Sequence, residues 1–359
     1  MTVNLVYNLQ VSAWNEVFDW GRYVLIILFI LFIMYSALII HEVGHLIAEK
    51  YLGYEFQILH LGPLVIENQN GKKKIRINKR NFNWGQCVML PHLNSYNKFI
   101  KEYPKYLAAG SLANLLVAVM GSIILAVSGN SLWILLLISH LLIAFIALIP
   151  LKAEGIYYTD GLAIKVLLKN NETSEVYYYL LKLSYKLLFN KEVNDLSELP
   201  QLEKKIEGLV SFEQKNRLHE ELSTYLIYEL STYYFLSEAY EKCFNLLSPF
   251  FNKKTIKGPL KEELRSYYLY ASYTLANNEK NKNGTSWIKT ERKSSTDHLI
   301  LELKLDAFNH LMNNQKELAI ACLKEAKEAV RRNKRNIHST DTEINIINRL
   351  KSIIEAKTI

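Results

Sequence analysis

Cysteine is scarce and badly placed for cross-linking. Cys87, Cys243 and Cys322 are the only three in 359 residues, far apart and without a CxxC pair. That excludes a disulfide framework and favours a reducing environment. Acids are scarce in the oily parts: the three long apolar runs hold no Asp or Glu apart from Glu42 and Glu49. A metal transporter or sensor would need several carboxylates along a path, so that class is disfavoured. Positive charge is nearly missing ahead of the first run, where Arg22 stands beside Glu16 and Asp19. Residues 1–20 are mixed and faintly amphipathic, and the run after them is too long for the core of a cleavable leader.

What is present divides the chain in two. The first 170 residues carry three apolar stretches; the rest is polar and rich in Lys, Glu, Asn and Tyr. Tyr23–Ile40 is uncharged and long enough to cross a bilayer at about 1.5 Å per residue. Continued through "HEVGHLIAEKYLG", this helix is expected to span about 23–52. The second span is expected at 106–128 and the third at 132–150. Their apolar residues surround the helix, which suits lipid better than a soluble core.

The loop between spans one and two holds Lys72, Lys73, Lys74, Arg76, Lys79, Arg80, Lys98, Lys101 and Lys105. Such a loop stays cytoplasmic. The N-terminus is therefore expected outside, and everything beyond Pro150 inside. Sidedness also accounts for much of the net charge of +8 without nucleic acid. Residues 54–91 read as a β-hairpin or small sheet at the membrane surface, with a turn at Asn70–Gly71. His60 alternates within one of its strands and is expected at the surface.

The chemistry concentrates in "IIHEVGHLI", residues 39–47. His41 and His45 are four apart, so one helix face presents both to a single metal ion, and Glu42 projects toward water at that ion. Catalytic zinc takes three protein ligands and keeps one position open. Two buried histidines and a helix-end acid are the plainer reading. Ionisable groups inside a span are costly and usually retained for function.

Beyond the histidines, the chain resembles the site-2 protease family of membrane-embedded zinc metallopeptidases. "AAGSLANLL" resembles the family's GxxxN element, here Gly110 and Asn114. "IPLKAEGIYYTDG" resembles its Pro-then-Asp-Gly element, which maps the third zinc ligand to Asp160. "WGQCVML" resembles its G-x-x-V-x-M strand, here Gly85, Gln86, Cys87, Val88 and Met89. The resemblance covers about residues 20–169. Two departures stand out: Ala147 replaces an asparagine usual before the proline, and the stretch from Pro150 to Asp160 is longer than the common pattern. Residues 152–159 must fold back to bring Asp160 to the metal, and Glu154 is the rival carboxylate on that stretch.

The resemblance implies roles. His41, His45 and Asp160 hold zinc; Glu42 acts as general base and then acid. Asn114 offers its amide to the substrate backbone or the oxyanion, or makes an interhelical hydrogen bond with Gly110 allowing close contact. The strand at Gly85–Met89 pairs with an unwound substrate, or merely dips into the membrane. His140, midway along span three, is expected to hydrogen-bond a buried neighbour rather than ligate. His92 is read as loop.

The second half is helical. Residues 170–196 read as an interfacial helix and linker that lies in the membrane interface or packs on the C-terminal domain. From about 197 to 359, helical periodicity falls on 212–236, 238–250, 260–277, 296–313, 315–332 and 341–356, with a loop at 277–286. Ala319, Leu323 and Ala326, with Ala307 on a partner helix, resemble tetratricopeptide-type packing, so a repeat-like cytoplasmic domain is expected.

The resulting fold class is an all-α membrane protein. It has an N-terminal interfacial segment (1–20), a three-helix metalloprotease core with a β-hairpin insertion (21–169), and the repeat-like domain. The function expected is a zinc endopeptidase cutting a small peptide precursor or membrane-anchored protein near the cytoplasmic face of a bacterial cell membrane. The alternative is an inactive peptide-binding or export-accessory protein working through its helical domain. Expected partners are the substrate, membrane lipid and a protein bound to the helical domain.

Overall fold

The computed structural model describes residues 2–69, 71–77, 83–151, 159–189, 203–204, 217–253, 260–279, 296–333 and 337–356. The chain is mostly helical with one small sheet, and it divides into two units, residues 1–169 and 170–359. Glu154, the linker after Phe189 and residues 280–286 of the expected loop lie outside the described residues.

In the first unit, α1 (Thr2–Leu52) runs unbroken through the first apolar stretch and stops before Gly53, whose φ of +71° ends the helix. Leu25, Ile27, Leu28, Leu31 and Phe32 are each more than half exposed. An apolar surface of that extent is unfavourable in water and suits lipid. α2 (Tyr96–Ser128) starts ten residues earlier than the expected span. Ser95 caps it by accepting from the Lys98 N–H, and Gly129 closes it in the left-handed conformation. α1 Tyr23–Leu52 and α2 are long and apolar enough to cross a membrane. α3 (Leu132–Leu148), at 17 residues, is shorter. Its buried residues are Ser139, His140 and Ala144, so its polar groups face inward and its oily ones outward. α3 ends where Ile149 turns extended ahead of Pro150.

Close backbone contact holds α1 against α2. A Cβ on Gly44 would run into the Ala109 carbonyl and the Ala113 methyl. Small residues at such crossings let membrane helices pack without a hydrophobic drive between them.

The insertion is a four-stranded antiparallel sheet of order β3-β2-β1-β4. Its strands are β1 (Glu55–Gly62), β2 (Leu64–Gln69), β3 (Lys72–Ile77) and β4 (Asn83–Leu90). The sequence pattern treats 54–69 as one run, but Gly62 (φ +58°) and Pro63 break it into a tight hairpin with Leu61 opposite Leu64. The Gly-Pro pair was the available signal. His60 is a correction. It is only 6% exposed, because β1 is an inner strand covered on both faces, with Gln57, Ile58 and Leu59 buried beside it. Alternation marks an exposed face only when one side of a sheet meets water.

α4 (Asp160–Leu168) completes this unit. Its cap residue, Thr159, accepts from the Leu162 N–H through its hydroxyl oxygen.

In the second unit, α5 (Glu172–Leu188) packs on α6 (Arg217–Leu236). α5 buries Val176, Leu180, Leu183 and Leu187, and α6 buries Leu222, Leu226, Leu230 and Tyr233. Each set is a single stripe at helical spacing. α7 (Tyr240–Lys253) pairs with α8 (Lys261–Glu279), and α9 (Thr296–Met312) with α10 (Lys316–Asn333). Ala307, Ala319, Leu323 and Ala326 are all buried at the last pair. α11 (Ile337–Glu355) comes last. In a strict stack each pair touches only its neighbours. Here α11 also returns to the first pair: Thr342 Oγ1 donates to the Leu187 carbonyl at 3.4 Å, and Arg349 reaches the Leu236 carbonyl at 3.2 Å. The cysteines are unpaired, as expected.

Candidate metal centre

α1 supplies His41, Glu42 and His45 from one inward face, and all three are buried, at 8%, 5% and 5% exposure. Asp160 arrives from the first turn of α4, where a carboxylate is favoured by the helix dipole. Its side chain is 19% exposed. Thr159 lies back against the end of α3. Leu151 N–H donates to Thr159 Oγ1 at 3.1 Å, and Thr159 Oγ1 donates to the Ile149 carbonyl at 2.7 Å. Leu151 and Thr159 therefore meet, and Asp160 is delivered next to the end of α3. Gly161 fits only because it has no Cβ, which would overlap the Leu148 carbonyl.

The three donor atoms converge. Asp160 Oδ2 lies 3.1 Å from His41 Nε2 and 3.4 Å from His45 Nε2, and the two nitrogens are 3.2 Å apart. Zinc–ligand bonds of about 2.0–2.1 Å in a tetrahedron place ligand atoms about 3.3 Å apart. The observed separations bracket that value, so the spacing of the three donor atoms suits a zinc-sized ion. Gly110 keeps the place clear: a Cβ there would lie 2.6 Å from His45 Nε2 and 2.7 Å from His41 Nε2. Among the described residues this is the group of His, Cys, Asp and Glu side chains that could hold a metal.

Groups behind the donors orient them. His45 Nδ1 donates to the Tyr106 carbonyl at 2.9 Å, which leaves Nε2 bare. Tyr106 also donates its hydroxyl to the Cys87 carbonyl at 2.8 Å, joining α2 to β4. Sequence reasoning missed Tyr106. The signal was its spacing, because Tyr106, Gly110 and Asn114 recur every four residues and share one face of α2. Asn114 is completely buried, with Oδ1 2.8 Å from His140 Nδ1 and Nδ2 3.5 Å from His41 Nδ1. His140 thus makes the buried hydrogen bond expected of it. His92 is exposed and sets its ring edge-on to Tyr54.

Glu42 lies on the β4 side of the centre. A Cβ on Gly85 would be 2.6 Å from Glu42 Oε1, so β4 passes directly over this carboxylate. Glu42 Oε2 is buried with no hydrogen-bond partner among the described residues. β4 is an edge strand, with Gln86, Cys87, Val88 and Met89 paired to His60, Leu59, Ile58 and Phe56 of β1. Met89 is buried, while Gln86, Cys87 and Val88 are half-buried.

Two imidazoles from a helix long and apolar enough to cross a membrane, and a carboxylate from α4, aim at one point with the Glu42 carboxylate beside them, which makes a possible metal site. The chain matches the model of peptidase family M50 over residues 29–354, nearly its whole length, and it belongs to that family, the site-2 protease family of membrane-embedded, metal-dependent peptidases. No curated protein and no solved structure matches the chain.

Proposed function

We propose that the protein is a zinc endopeptidase that cuts a small peptide precursor or a membrane-anchored protein near the cytoplasmic face of a bacterial membrane. The observation that carries this reading is the convergence of His41 Nε2, His45 Nε2 and Asp160 Oδ2 within 3.4 Å of one another, with Glu42 alongside, its Oε2 without a hydrogen-bond partner among the described residues. His41, His45 and Asp160 would hold the ion. A bound zinc ion would supply Lewis acidity and would lower the pKa of the attacking water. Glu42 takes the proton of that water at its free oxygen and returns it to the leaving amine nitrogen. Gly85–Met89 on the β4 edge hold the substrate extended by strand addition, which a helical segment needs before its peptide bond is accessible. Lipid surrounds α1, α2 and α3, and the basic loop keeps the sheet and the C-terminal unit cytoplasmic. The helical pairs of the second unit are the repeat-like part and bind a protein partner. An inactive accessory protein would have no use for a free buried carboxylate beside a complete donor set, since both are costly in a membrane.

The experiment is co-expression of the wild type or Glu42→Gln with peptides encoded by neighbouring genes, followed by mass spectrometry. Products present with the wild type and missing with the variant support the reading. Equal products from both overturn it.

A further inference from the structure

His45 and His41 are oriented by different kinds of group. The Tyr106 carbonyl can only accept, so His45 always carries its hydrogen on Nδ1. The group at His41 Nδ1 is the Asn114 amide, which can present either its oxygen or its NH2. With the nitrogen forward, as found here, Asn114 donates to His41 Nδ1. The ring's own hydrogen then sits on Nε2, directed at Asp160 Oδ2 3.1 Å away. A ring in that form cannot ligate through Nε2. With the oxygen forward, His41 Nδ1–H donates and Nε2 is bare. The two ends of an amide are nearly the same size, so both orientations fill the same buried slot.

The other end of the amide is anchored 2.8 Å from His140 Nδ1, and His140 is completely buried. His140 must adapt to any reversal. Facing the amide oxygen it donates from Nδ1; facing the NH2 it accepts there, and its hydrogen moves to Nε2. That nitrogen has no hydrogen-bond partner among the described residues, so the amide at Nδ1 decides which atom carries the hydrogen. Each ring keeps one hydrogen throughout.

We propose that Asn114 and His140 form a tautomer relay behind His41. His140 is a positioning residue that acts through the amide, and the amide reverses when a metal takes His41 Nε2. The relay rests on the zinc-site reading above. It differs from simple space-filling between α2 and α3, which would need no change in His140.

The test uses the full chain in detergent, labelled with 15N-histidine, with and without Zn2+. The expected result is a change of the His140 tautomer from Nδ1–H without zinc to Nε2–H with it. Zinc affinity, measured by chelator competition, should fall about 10–100-fold in His140→Phe. It should stay within about threefold of wild type in His140→Gln, whose amide can serve Asn114 in either orientation. A zinc-loaded wild type whose His140 tautomer is unchanged overturns the relay alone. So does a folded His140→Phe variant with wild-type affinity. A wild type that takes up no zinc overturns the metal centre and the relay together.

Discussion

Asp160 Oδ2 stands 3.1 Å from His41 Nε2, although 119 residues separate them in the chain. No local rule of helix or strand produces that contact. It depends on the Thr159 hydroxyl tying that residue back to Ile149 and Leu151, and on the missing side chain at Gly161.

If Asp160 is the anionic ligand, Asp160→Ala removes the only carboxylate touching both histidines among the described residues. Zinc content should fall to a small fraction of wild type, while Glu154→Ala should leave it unchanged. Elemental analysis of the two purified variants decides between them; loss of metal in Glu154→Ala alone would assign the third ligand elsewhere.

Glu42→Gln keeps the shape of the side chain and removes the proton acceptor. General-base catalysis of this kind contributes about 10²–10⁴-fold, so turnover should fall by that order with zinc retained. Turnover near wild type would show that Glu42 is not the base.

Gly85→Ala places a methyl against Glu42 Oε1, which must then move. A displacement of about 1 Å in a catalytic group costs on the order of 10²-fold, and kcat should drop accordingly. Because Gly85 touches Glu42 rather than the donor atoms, zinc content should not change. Gly110→Ala intrudes between the two Nε2 atoms and should lose zinc as well as activity. The same metal assay on both variants separates the two effects.

Legibility from sequence varies by element. The histidines and Glu42 are legible, because four-residue spacing on a helix is geometry that the sequence displays. α6 to α11 fall close to the expected segments for the same reason. The start of α2 does not, because "NKFIKEYPKY" is polar and hydropathy sees only the lipid-facing part. His60 is misread because strand alternation says which residues share a face, and not whether that face is covered. Asp160 is reachable only through resemblance, since the fold-back is made by a hydroxyl and a glycine. The Asn114–His140 bond joins two helices, and no pattern within either helix reports it.

In the second unit Lys304 is fully buried between Glu263 and Glu343, each 2.8 Å from Nζ. Burial alone would lower its pKa, but the two carboxylates overcome that and hold it above the usual lysine range. The double variant Glu263→Gln/Glu343→Gln leaves this ammonium uncompensated and should cost about 3–5 kcal/mol. Adding Lys304→Met should recover most of the loss, as read by denaturant unfolding. No recovery would mean that packing, rather than the stranded charge, dominates.

Burial pushes the Glu229 carboxyl from 4.5 up to about 7, although Ser184 Oγ donates to it at 2.8 Å. The folded chain thus holds a proton there that the unfolded chain has released. Through this group, stability falls as the pH rises between 4.5 and about 7. Glu229→Gln should flatten that part of the profile in thermal melts monitored by circular dichroism. An unchanged slope would remove Glu229 as its source.

The most direct test of the account is the metal content of the full-length protein, purified in detergent under conditions that keep it folded. Elemental analysis should find one zinc per chain in the wild type and markedly less in His41→Ala, His45→Ala and Asp160→Ala. A folded wild type without stoichiometric metal would contradict it.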